Sequence, residues 1–374
     1  MLDCAATYSL IREQGFRFFT GVPDSLLKDF CAYVTDHAPK GDHIIAANEG
    51  TAVALAIGQF LGTGEPAIVY MQNSGIGNAV NPLLSLADPE VYGVPMLLVI
   101  GWRGEPGVKD EPQHVKHGRR MTELLDAMEI PWFLLPKSLE EAATVIAEAG
   151  RRMREHMGPV AILVRSGTFD RYDLEHDSFT DLPMNREEAV KRITAQLAEE
   201  DVVVSTTGKT SRELYEYREE QGRRGNDFLT VGGMGHTASI AAGIARRRPD
   251  RQIVCLDGDG SLIMHMGALG VIAQAAPENL LHVVINNGAH DSVGGQPTVG
   301  FDIDIPAIAI ACGYRAAVSV QTPQHLEEEL LELRRQQGPT LLEVKVNKGA
   351  RADLGRPKET PLENRKALMS QLGL

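Results

Sequence analysis

Residues 253–296 read IVCLDGDGSLIMHMGALGVIAQAAPENLLHVVINNGAHDSVGGQ. The stretch opens with a short apolar, β-branched run, 253–256, which predicts a buried strand of a parallel sheet. The run ends at the residues DGDGS, 257–261, which are too rich in glycine to continue either a strand or a helix. The sequence therefore predicts an acidic turn directly after a buried strand.

A helix over 262–276 and a second buried strand over 280–285 are predicted to follow this turn. The second strand ends on the pair Asn286 and Asn287. Two neighbouring parallel strands are thus predicted to carry oxygen-bearing side chains at their carboxyl ends. Open α/β sheets bind their ligands at that edge, so the stretch predicts an α/β fold with a ligand site after these strands.

The oxygen-bearing side chains suit a particular ligand. Asp259 offers a carboxylate and Asn287 an amide oxygen, and Mg²⁺ prefers such hard ligands together with water and phosphate oxygens. Gly260 and Ser261, at the start of the helix, would present backbone amides and a hydroxyl to the same phosphate. An ordinary strand-to-helix turn and an asparagine turn explain either piece alone. The two together predict a magnesium and phosphate site.

The bulk composition predicts a soluble globular protein with two domains. The chain has 374 residues, of which 43% are apolar and 23% are charged. Its formal net charge of -13 argues against nucleic acid or an anionic membrane as a partner, because both need a basic face. A small anionic substrate needs only a few local cations. The N-terminal residues lack the apolar core of a signal peptide and no segment reaches a membrane-spanning length, which predicts a cytoplasmic enzyme.

Short apolar runs alternate with helical stretches along two parts of the chain. In the first part, strands are predicted at 17–20, 43–47, 66–71, 96–100, 132–135 and 160–165. In the second part, they are predicted at 202–205, 228–231, 253–256, 280–285, 316–320 and 341–346. The polar stretch 173–183 predicts a linker, and the charged tail after Asn347 predicts an irregular segment. Each part predicts a parallel six-stranded sheet with helices on both faces, in domains that span 1–180 and 185–374.

Two places in the first domain put polar side chains after a predicted strand. Glu49 precedes an apolar helix over 52–61. It either favours the helix N-terminus through the dipole or, as a buried carboxyl with a raised pKa, hydrogen-bonds a ligand. The polar loop 72–78 follows the next strand, and Asn73 and Ser74 are its candidates for ligand binding.

The most distinctive segment of the first domain is 101–118, GWRGEPGVKDEPQHVKHG. It is too long and too rich in glycine for a simple connection, and it is either a charged surface loop or part of a site. His114 and His117 could transfer protons at neutral pH. Arg103 and Lys109 could bind a phosphonate, and Arg103 is the better candidate because its planar fork fits a tetrahedral oxyanion.

At Gly258-Asp259-Gly260, followed one helix and one strand later by Asn286-Asn287, the chain resembles the thiamine diphosphate-dependent enzymes. The resemblance implies two domains of one fold, a pyrimidine-binding domain over 1–180 and a diphosphate-binding domain over 185–374. It also implies thiamine diphosphate and Mg²⁺ as cofactors. The metal ligands that it implies are Asp259, Asn287 and the backbone carbonyl of Ala289.

The same resemblance implies further cofactor contacts. The segment 232–235 would place the carbonyl of Gly232 at the aminopyrimidine and Met234 beneath the centre of the cofactor, although close packing of a helix on a strand also explains these glycines. The remaining contacts that it implies are Gly208, Gly235, Gly258, Gly260, Ser261 and Asn73.

Catalytic roles are implied for residues of both domains. Glu49 would drive the aminopyrimidine to its imino form, which removes the proton from thiazolium C2 and generates the ylid. In the loop 21–25, Ser25 would contact the substrate at the reacting carbon. Asp24 is a second substrate candidate, although the family usually has glycine at that position. His114, His117 and His290 are the candidate proton donors, and the choice among them stays open.

The segment GWRGEPG, together with the absence of room for the middle domain of longer decarboxylases, places the chain near a short subset of the family. The resemblance implies conversion of 3-phosphonopyruvate to phosphonoacetaldehyde and CO₂ in phosphonate and antibiotic biosynthesis. Sulfopyruvate, with a similar tetrahedral anion, is the alternative substrate, and a non-catalytic cofactor-binding subunit is the alternative class. The family builds each site from two chains, which implies a homo-oligomer with active sites at the subunit interface.

Overall fold

The computed structural model describes residues 1–175, 180–223 and 227–374. Residues 176–179, in the middle of the predicted linker, lie outside the described residues. The chain divides into two compact units, Met1–Asp177 with Val293–Gln296 and Ser178–Ser292 with Pro297–Leu374.

The first unit contains a six-stranded parallel sheet. Its strands are β1 (Phe19–Gly21), β2 (His43–Ile45), β3 (Ala67–Gln72), β4 (Met96–Gly101), β5 (Trp132–Leu134) and β6 (Pro159–Val164), in the order β2-β1-β3-β4-β6-β5. Its α-helices are α1 (Cys4–Glu13), α2 (Lys28–His37), α3 (Glu49–Thr63), α4 (Ile76–Pro82), α5 (Pro112–Ala127) and α6 (Leu139–His156). A 3₁₀-helix spans Asn73–Gly75 and a π-helix spans Leu83–Ala87.

The second unit contains another six-stranded parallel sheet. Its strands are β7 (Val202–Ser205), β8 (Asp227–Leu229), β9 (Ile253–Gly258), β10 (Leu280–Asn286), β11 (Ala316–Val320) and β12 (Thr340–Lys345), in the order β11-β12-β10-β9-β7-β8. Its α-helices are α7 (Arg186–Ala195), α8 (Lys209–Glu220), α9 (Thr237–Arg247), α10 (Asp259–Met264), α11 (Ala268–Ala275), α12 (Ile305–Cys312), α13 (Pro323–Arg335) and α14 (Pro361–Gln371).

The prediction of two parallel six-stranded sheets is confirmed, and each predicted strand is present with ends shifted by at most two residues. Within each unit, the second strand along the chain lies at one edge, next to the first, and the third lies on the other side of the first. The two sheets therefore share one topology. Strand order reverses between β1 and β3 and between β7 and β9, and ligands of open α/β sheets bind at such switch points.

Alternate residues of the central strands enter two separate cores. In β4, for example, Leu97 and Val99 pack in one core and Met96, Leu98 and Ile100 in the other. The second unit repeats this arrangement with two further clusters, one on each face of its sheet. Helices cover both faces of each sheet, which is why its central strands read as continuous apolar runs.

Three local predictions are wrong. The predicted turn at 257–261 is absent, because Gly258 ends β9 in an extended conformation and Asp259 is already the first residue of α10. The single helix predicted over 262–276 is two helices, α10 and α11. The polar loop predicted over 72–78 is a 3₁₀-helix followed by the start of α4.

The tail after Asn347 is also not irregular throughout, because it contains α14. Thr360 and Glu363 form a reciprocal capping box at the start of this helix. Asn364 donates through Nδ2 to the carbonyl of Asp227 at 2.9 Å. Leu368 is 5% exposed and belongs to a core of the second unit. Among the described residues, no helix is both long enough and apolar enough to cross a bilayer.

We expect Leu368→Ala to destabilise the second unit by about 2–4 kcal/mol, because the substitution leaves a cavity in the core. Leu362→Ala in the same helix is the matched control, since Leu362 is 52% exposed, and it should change stability by less than about 0.5 kcal/mol. Thermal unfolding of both variants measures the difference. Equal effects would mean that α14 does not pack as described.

Candidate functional site

Asp259 is a buried acid in the second unit. It is 3% exposed, and its carboxylate accepts a hydrogen bond from the hydroxyl of Thr298. Burial raises the pKa of Asp259 to about 6, although the bonds from Thr298 and from the backbone amide of Gly260 oppose the rise. In the part of the chain that the structure describes, no Lys or Arg forms an ion pair with this carboxylate. A cation from outside the unit would therefore be favoured here.

The two asparagines at the end of β10 have different environments. Asn286 is completely buried, and its Nδ2 donates to the carbonyl of Gly300 and to Oε1 of Glu343, both at 2.7 Å. Asn287 is 7% exposed, and its Oδ1 accepts from the amide of Ala289 at 3.2 Å. Asn286 thus fixes the end of β10, and Asn287 and the buried Ala289 lie one and three residues beyond it.

Gly300 lies against both the carboxylate of Asp259 and the side-chain amide of Asn286. A Cβ at this position would be 2.6 Å from Oδ1 of Asn286 and 2.8 Å from Oδ2 of Asp259. Only glycine fits without moving one of these groups, which the sequence alone did not reveal. The residues fit Mg²⁺, because Asp259, Asn287 and the carbonyl of Ala289 offer only hard oxygen donors.

The segment 232–235 packs at the start of α10. The amide of Gly235 donates to Oγ of Ser261 at 3.1 Å. A Cβ on Gly260 would lie 3.3 Å from both the Met234 side chain and the His290 ring. Burial lowers the pKa of His290 to about 4, so its imidazole is neutral at pH 7. The structure therefore brings these predicted cofactor residues together, with Gly232 at the head of the same segment.

Gly208 precedes α8 with a φ of +100°, a conformation that favours glycine. A Cβ there would be 2.9 Å from Oγ of Ser292. Next to it, Nζ of Lys209 donates to the carbonyl of Asp291 at 3.1 Å, and NH1 of Arg186 pairs with the Asp291 carboxylate at 2.5 Å. These bonds hold residues 290–292 against the start of α8.

Glu49 is a buried acid in the first unit. It is 5% exposed at the first turn of α3, and its Oε2 accepts from Nδ2 of Asn78 at 2.7 Å. Burial raises the pKa of Glu49, and the bond from Asn78 opposes the rise. A Cβ on Gly75 would overlap the Glu49 carboxyl group, with Cδ at 2.6 Å. Asn78 and Gly75 thus set the position of the acid.

Ser25, which follows β1, contacts both its neighbour Asp24 and Arg103, which follows β4. NH1 of Arg103 donates to Oγ of Ser25 at 2.7 Å, and Ser25 donates to Oδ2 of Asp24 at 3.4 Å. Asp24 is 1% exposed. Burial raises its pKa to about 6, against the amide of Leu26 and the charge of Arg103. Gly101 is required beside this group because a Cβ there would overlap the Asp24 carboxylate.

Asn73, predicted to bind the cofactor, uses its side-chain amide inside the first unit. Its Nδ2 donates to the carbonyl of Arg103 at 2.8 Å, and its Oδ1 accepts from the Arg103 amide at 3.3 Å. The side chain of Asn73 therefore holds the backbone from which Arg103 projects.

The segment 101–118 is not one long loop. β4 includes Gly101 and α5 begins at Pro112, so His114 and His117 lie on a helix. His114 is half-buried, and burial lowers its pKa to about 4, with the charge of Arg103 adding to the effect. His117 and Lys109 are exposed.

Asn78 and Asp110 are contact residues that the sequence interpretation did not single out. Each lies within a segment that it marked as a site candidate, but the sequence gives no sign that Asn78 meets Glu49 across 29 positions. Asp110 similarly reaches back to pair with Arg103.

Comparisons with known proteins identify the family. Models for the N-terminal and C-terminal TPP binding domains of thiamine pyrophosphate enzymes match residues 5–130 and 206–344. The phosphonopyruvate decarboxylase of Streptomyces viridochromogenes is 37% identical, over 97% of this chain and 93% of that protein. That of Streptomyces hygroscopicus is 36% identical, over 93% and 88%. The sulfopyruvate decarboxylase of Methanosarcina acetivorans is 26% identical, over 85% and 84%.

The chain belongs to the thiamine pyrophosphate enzymes. Its cofactor is thiamine pyrophosphate, which is thiamine diphosphate under another name, together with Mg²⁺. The cofactors expected from the sequence are thus confirmed.

We expect Gly300→Ala to raise the Mg²⁺ concentration needed for half-maximal thiamine diphosphate binding by about 10–100-fold, as is typical when residues that orient metal ligands are changed. The added methyl group would push on both Asp259 and Asn286. Gly270→Ala in α11 is the control, because a Cβ there meets no atom within 4 Å. Calorimetric titration of both variants measures the effect, and an unchanged Mg²⁺ requirement in Gly300→Ala would contradict it.

Proposed function

We propose that the protein decarboxylates 3-phosphonopyruvate to phosphonoacetaldehyde and CO₂, with thiamine diphosphate and Mg²⁺ as cofactors. The observation that carries the proposal is the 37% identity, over nearly the whole of both chains, to a relative named phosphonopyruvate decarboxylase. The sulfopyruvate decarboxylase of Methanosarcina acetivorans is 26% identical, and the sulfopyruvate decarboxylase subunits that are 31–37% identical each match only 35–47% of this chain. The partly buried guanidinium of Arg103 also supports an anionic substrate.

In this proposal the second domain, 185–374, binds the diphosphate. Asp259, Asn287 and the carbonyl of Ala289 hold the Mg²⁺. The absence of an ion pair at Asp259 among the described residues supports this role, because a buried carboxylate is stabilised by a nearby cation. The other cofactor contacts proposed for this domain are Gly208, Gly232, Met234, Gly235, Gly258, Gly260 and Ser261.

The first domain, 1–180, binds the pyrimidine in this proposal. The bound cofactor supplies a thiazolium ring that accepts the electron pair released with CO₂. Glu49 holds a proton at the pyrimidine nitrogen, and its raised pKa supports that role. Asn78 donates to Oε2 of Glu49 and so orients the carboxyl group. Asn73 contributes to this domain by holding the backbone of Arg103 with two hydrogen bonds.

In this proposal one group of residues binds the substrate's anion, and a second group supplies candidates for proton transfer. Arg103 binds the phosphonate, with Ser25 and Asp24 beside it, and the exposed Lys109 adds positive charge at the rim. His114, His117 and His290 stay candidates for moving a proton to the product. His290 is favoured, because it packs at Gly260 at the start of α10.

We further propose a cytoplasmic homo-oligomer in which the first domain of one copy and the second domain of another complete each site. The resemblance to the family motivates this arrangement. The proposal implies that activity per chain falls when the protein is diluted until the copies separate.

The substrate assignment predicts faster CO₂ release from 3-phosphonopyruvate than from sulfopyruvate by the purified protein loaded with thiamine diphosphate and Mg²⁺. Assays of both compounds at matched concentrations measure the two rates. Faster turnover of sulfopyruvate would overturn the choice of substrate. Tight cofactor binding without CO₂ release from either compound would favour a non-catalytic subunit.

Glu49→Gln should keep the fold and Mg²⁺-dependent cofactor binding but lower kcat by about 100-fold or more, because general acid–base catalysis contributes about 10²–10⁴-fold. Glu140→Gln is the matched control, since Glu140 lies in the first turn of α6 and is exposed. Similar small losses in both variants would show that Glu49 acts only on the helix dipole.

A further inference from the structure

Arg103 is held in one orientation by its neighbours in the first unit. Nε and NH2 donate to the two carboxylate oxygens of Asp110, and NH1 donates to Oγ of Ser25. These bonds use three of the five N–H groups of a guanidinium. Among the described residues no other acceptor binds this guanidinium, so two N–H groups remain for a further acceptor. The side chain of Arg103 is 19% exposed, so only a limited edge of it is open to solvent.

Asp110 has no unused acceptor position. Oδ1 accepts from NH2 of Arg103 and from the amide of Glu111 at 2.7 Å. Oδ2 accepts from Nε of Arg103 at 2.8 Å and from the amide of Gly104 at 2.7 Å. An ionised carboxylate offers about four lone-pair sites, and all four are filled. A substrate that displaced Asp110 from Arg103 would leave this carboxylate bonded to two backbone amides but without its cation.

The backbone around this pair is also fixed. Asn73 bonds to both the amide and the carbonyl of Arg103. Gly104 has a φ of +71°, and a Cβ there would overlap the carbonyl of His114 in α5. A Cβ on Gly118 would in turn overlap the carbonyl of Gly104. The loop therefore packs against α5 without room for adjustment.

We propose that Asp110 is a positioning residue for the substrate's tetrahedral anion: it fixes the plane of the Arg103 guanidinium so that the two remaining N–H groups bind the anion. The inference rests on the proposed role of Arg103 as the phosphonate ligand. Arg103 then binds its ligand with little loss of side-chain freedom. Asp110 itself does not contact the substrate.

Burial raises the pKa of Asp110, but the bonds from Arg103 and from the amides of Glu111 and Gly104 outweigh it and hold that pKa well below the ordinary value. The carboxylate therefore stays ionised at neutral pH, and its pair with Arg103 persists there. Asp110 is thus a permanent support for Arg103 rather than a gate that the substrate opens.

Asp110→Asn tests the role with little change of shape. The amide nitrogen that replaces one oxygen cannot accept from Arg103, so the bidentate pair is lost. We expect KM for 3-phosphonopyruvate to rise about 10–100-fold, the range for losing charge-assisted hydrogen bonds. We expect kcat to change by less than about 3-fold, and kcat/KM for pyruvate, which lacks the phosphonate, to stay within about 2-fold.

A purely structural role for Asp110 would give a different pattern. Loss of the loop would lower kcat/KM equally for 3-phosphonopyruvate and pyruvate, and that result would overturn the proposal. Asp250→Asn is the matched control, because Asp250 makes a bidentate pair with Arg248 on the surface of the second unit. It should change neither substrate's kinetics.

A double-mutant cycle with Arg103→Ala distinguishes the loss of the Asp110–Arg103 interaction from a general loosening of the loop. If Asp110 acts through Arg103, adding Asp110→Asn to Arg103→Ala should raise KM by less than about 3-fold further. Fully additive effects would contradict the proposal.

The binding of methylphosphonate to the cofactor-loaded protein keeps this test separate from the proposed function. If the wild type released no CO₂ from 3-phosphonopyruvate, the proposed function would fail. Asp110→Asn should still weaken methylphosphonate binding by about 10-fold or more relative to wild type. Equal dissociation constants in the two proteins would overturn the role of Asp110, whatever the substrate.

Discussion

Two buried carboxyl groups, Glu49 and Asp259, impose the constraint on which the proposed cofactor site depends. An ionised carboxylate removed from water is costly unless a cation or hydrogen-bond donors compensate it. In the described chain each acid has hydrogen-bond donors but no ion pair, and burial raises the pKa of both. Each unit therefore holds an acid that is incompletely compensated without a ligand, and thiamine diphosphate with Mg²⁺ offers a suitable partner for both.

Each acid is placed by a side-chain hydrogen-bond donor and a glycine from elsewhere in its unit. Asn78 donates to Glu49, and Gly75 leaves room for its carboxyl group. In the second unit, the hydroxyl of Thr298 donates to Asp259, and Gly300 leaves room for its carboxylate. A side chain larger than hydrogen at either glycine would move the acid. The shared sheet topology of the units brings these residues to the carboxyl ends of the strands.

Sequence patterns predicted the fold well because the central strands are buried on both faces and so read as apolar runs. They also predicted that Asp259 and Asn287 directly follow two adjacent strands, as the structure has them. They failed at α14, where Leu368 is the sole buried residue and no apolar period exists to detect. They also missed the actions of Asn78, Asp110 and Gly300, because a single sequence does not display which side chains meet or how much packing space a position has.

Calorimetric titration of the wild-type protein with thiamine diphosphate, with and without Mg²⁺, tests whether the two buried acids form a cofactor site. One cofactor should bind per chain when Mg²⁺ is present. Chelation of the metal should weaken binding by at least about 10-fold, because Asp259 then faces the diphosphate without a cation between them. Absence of binding, or equal affinity with and without Mg²⁺, would contradict the assignment of Asp259 to the metal.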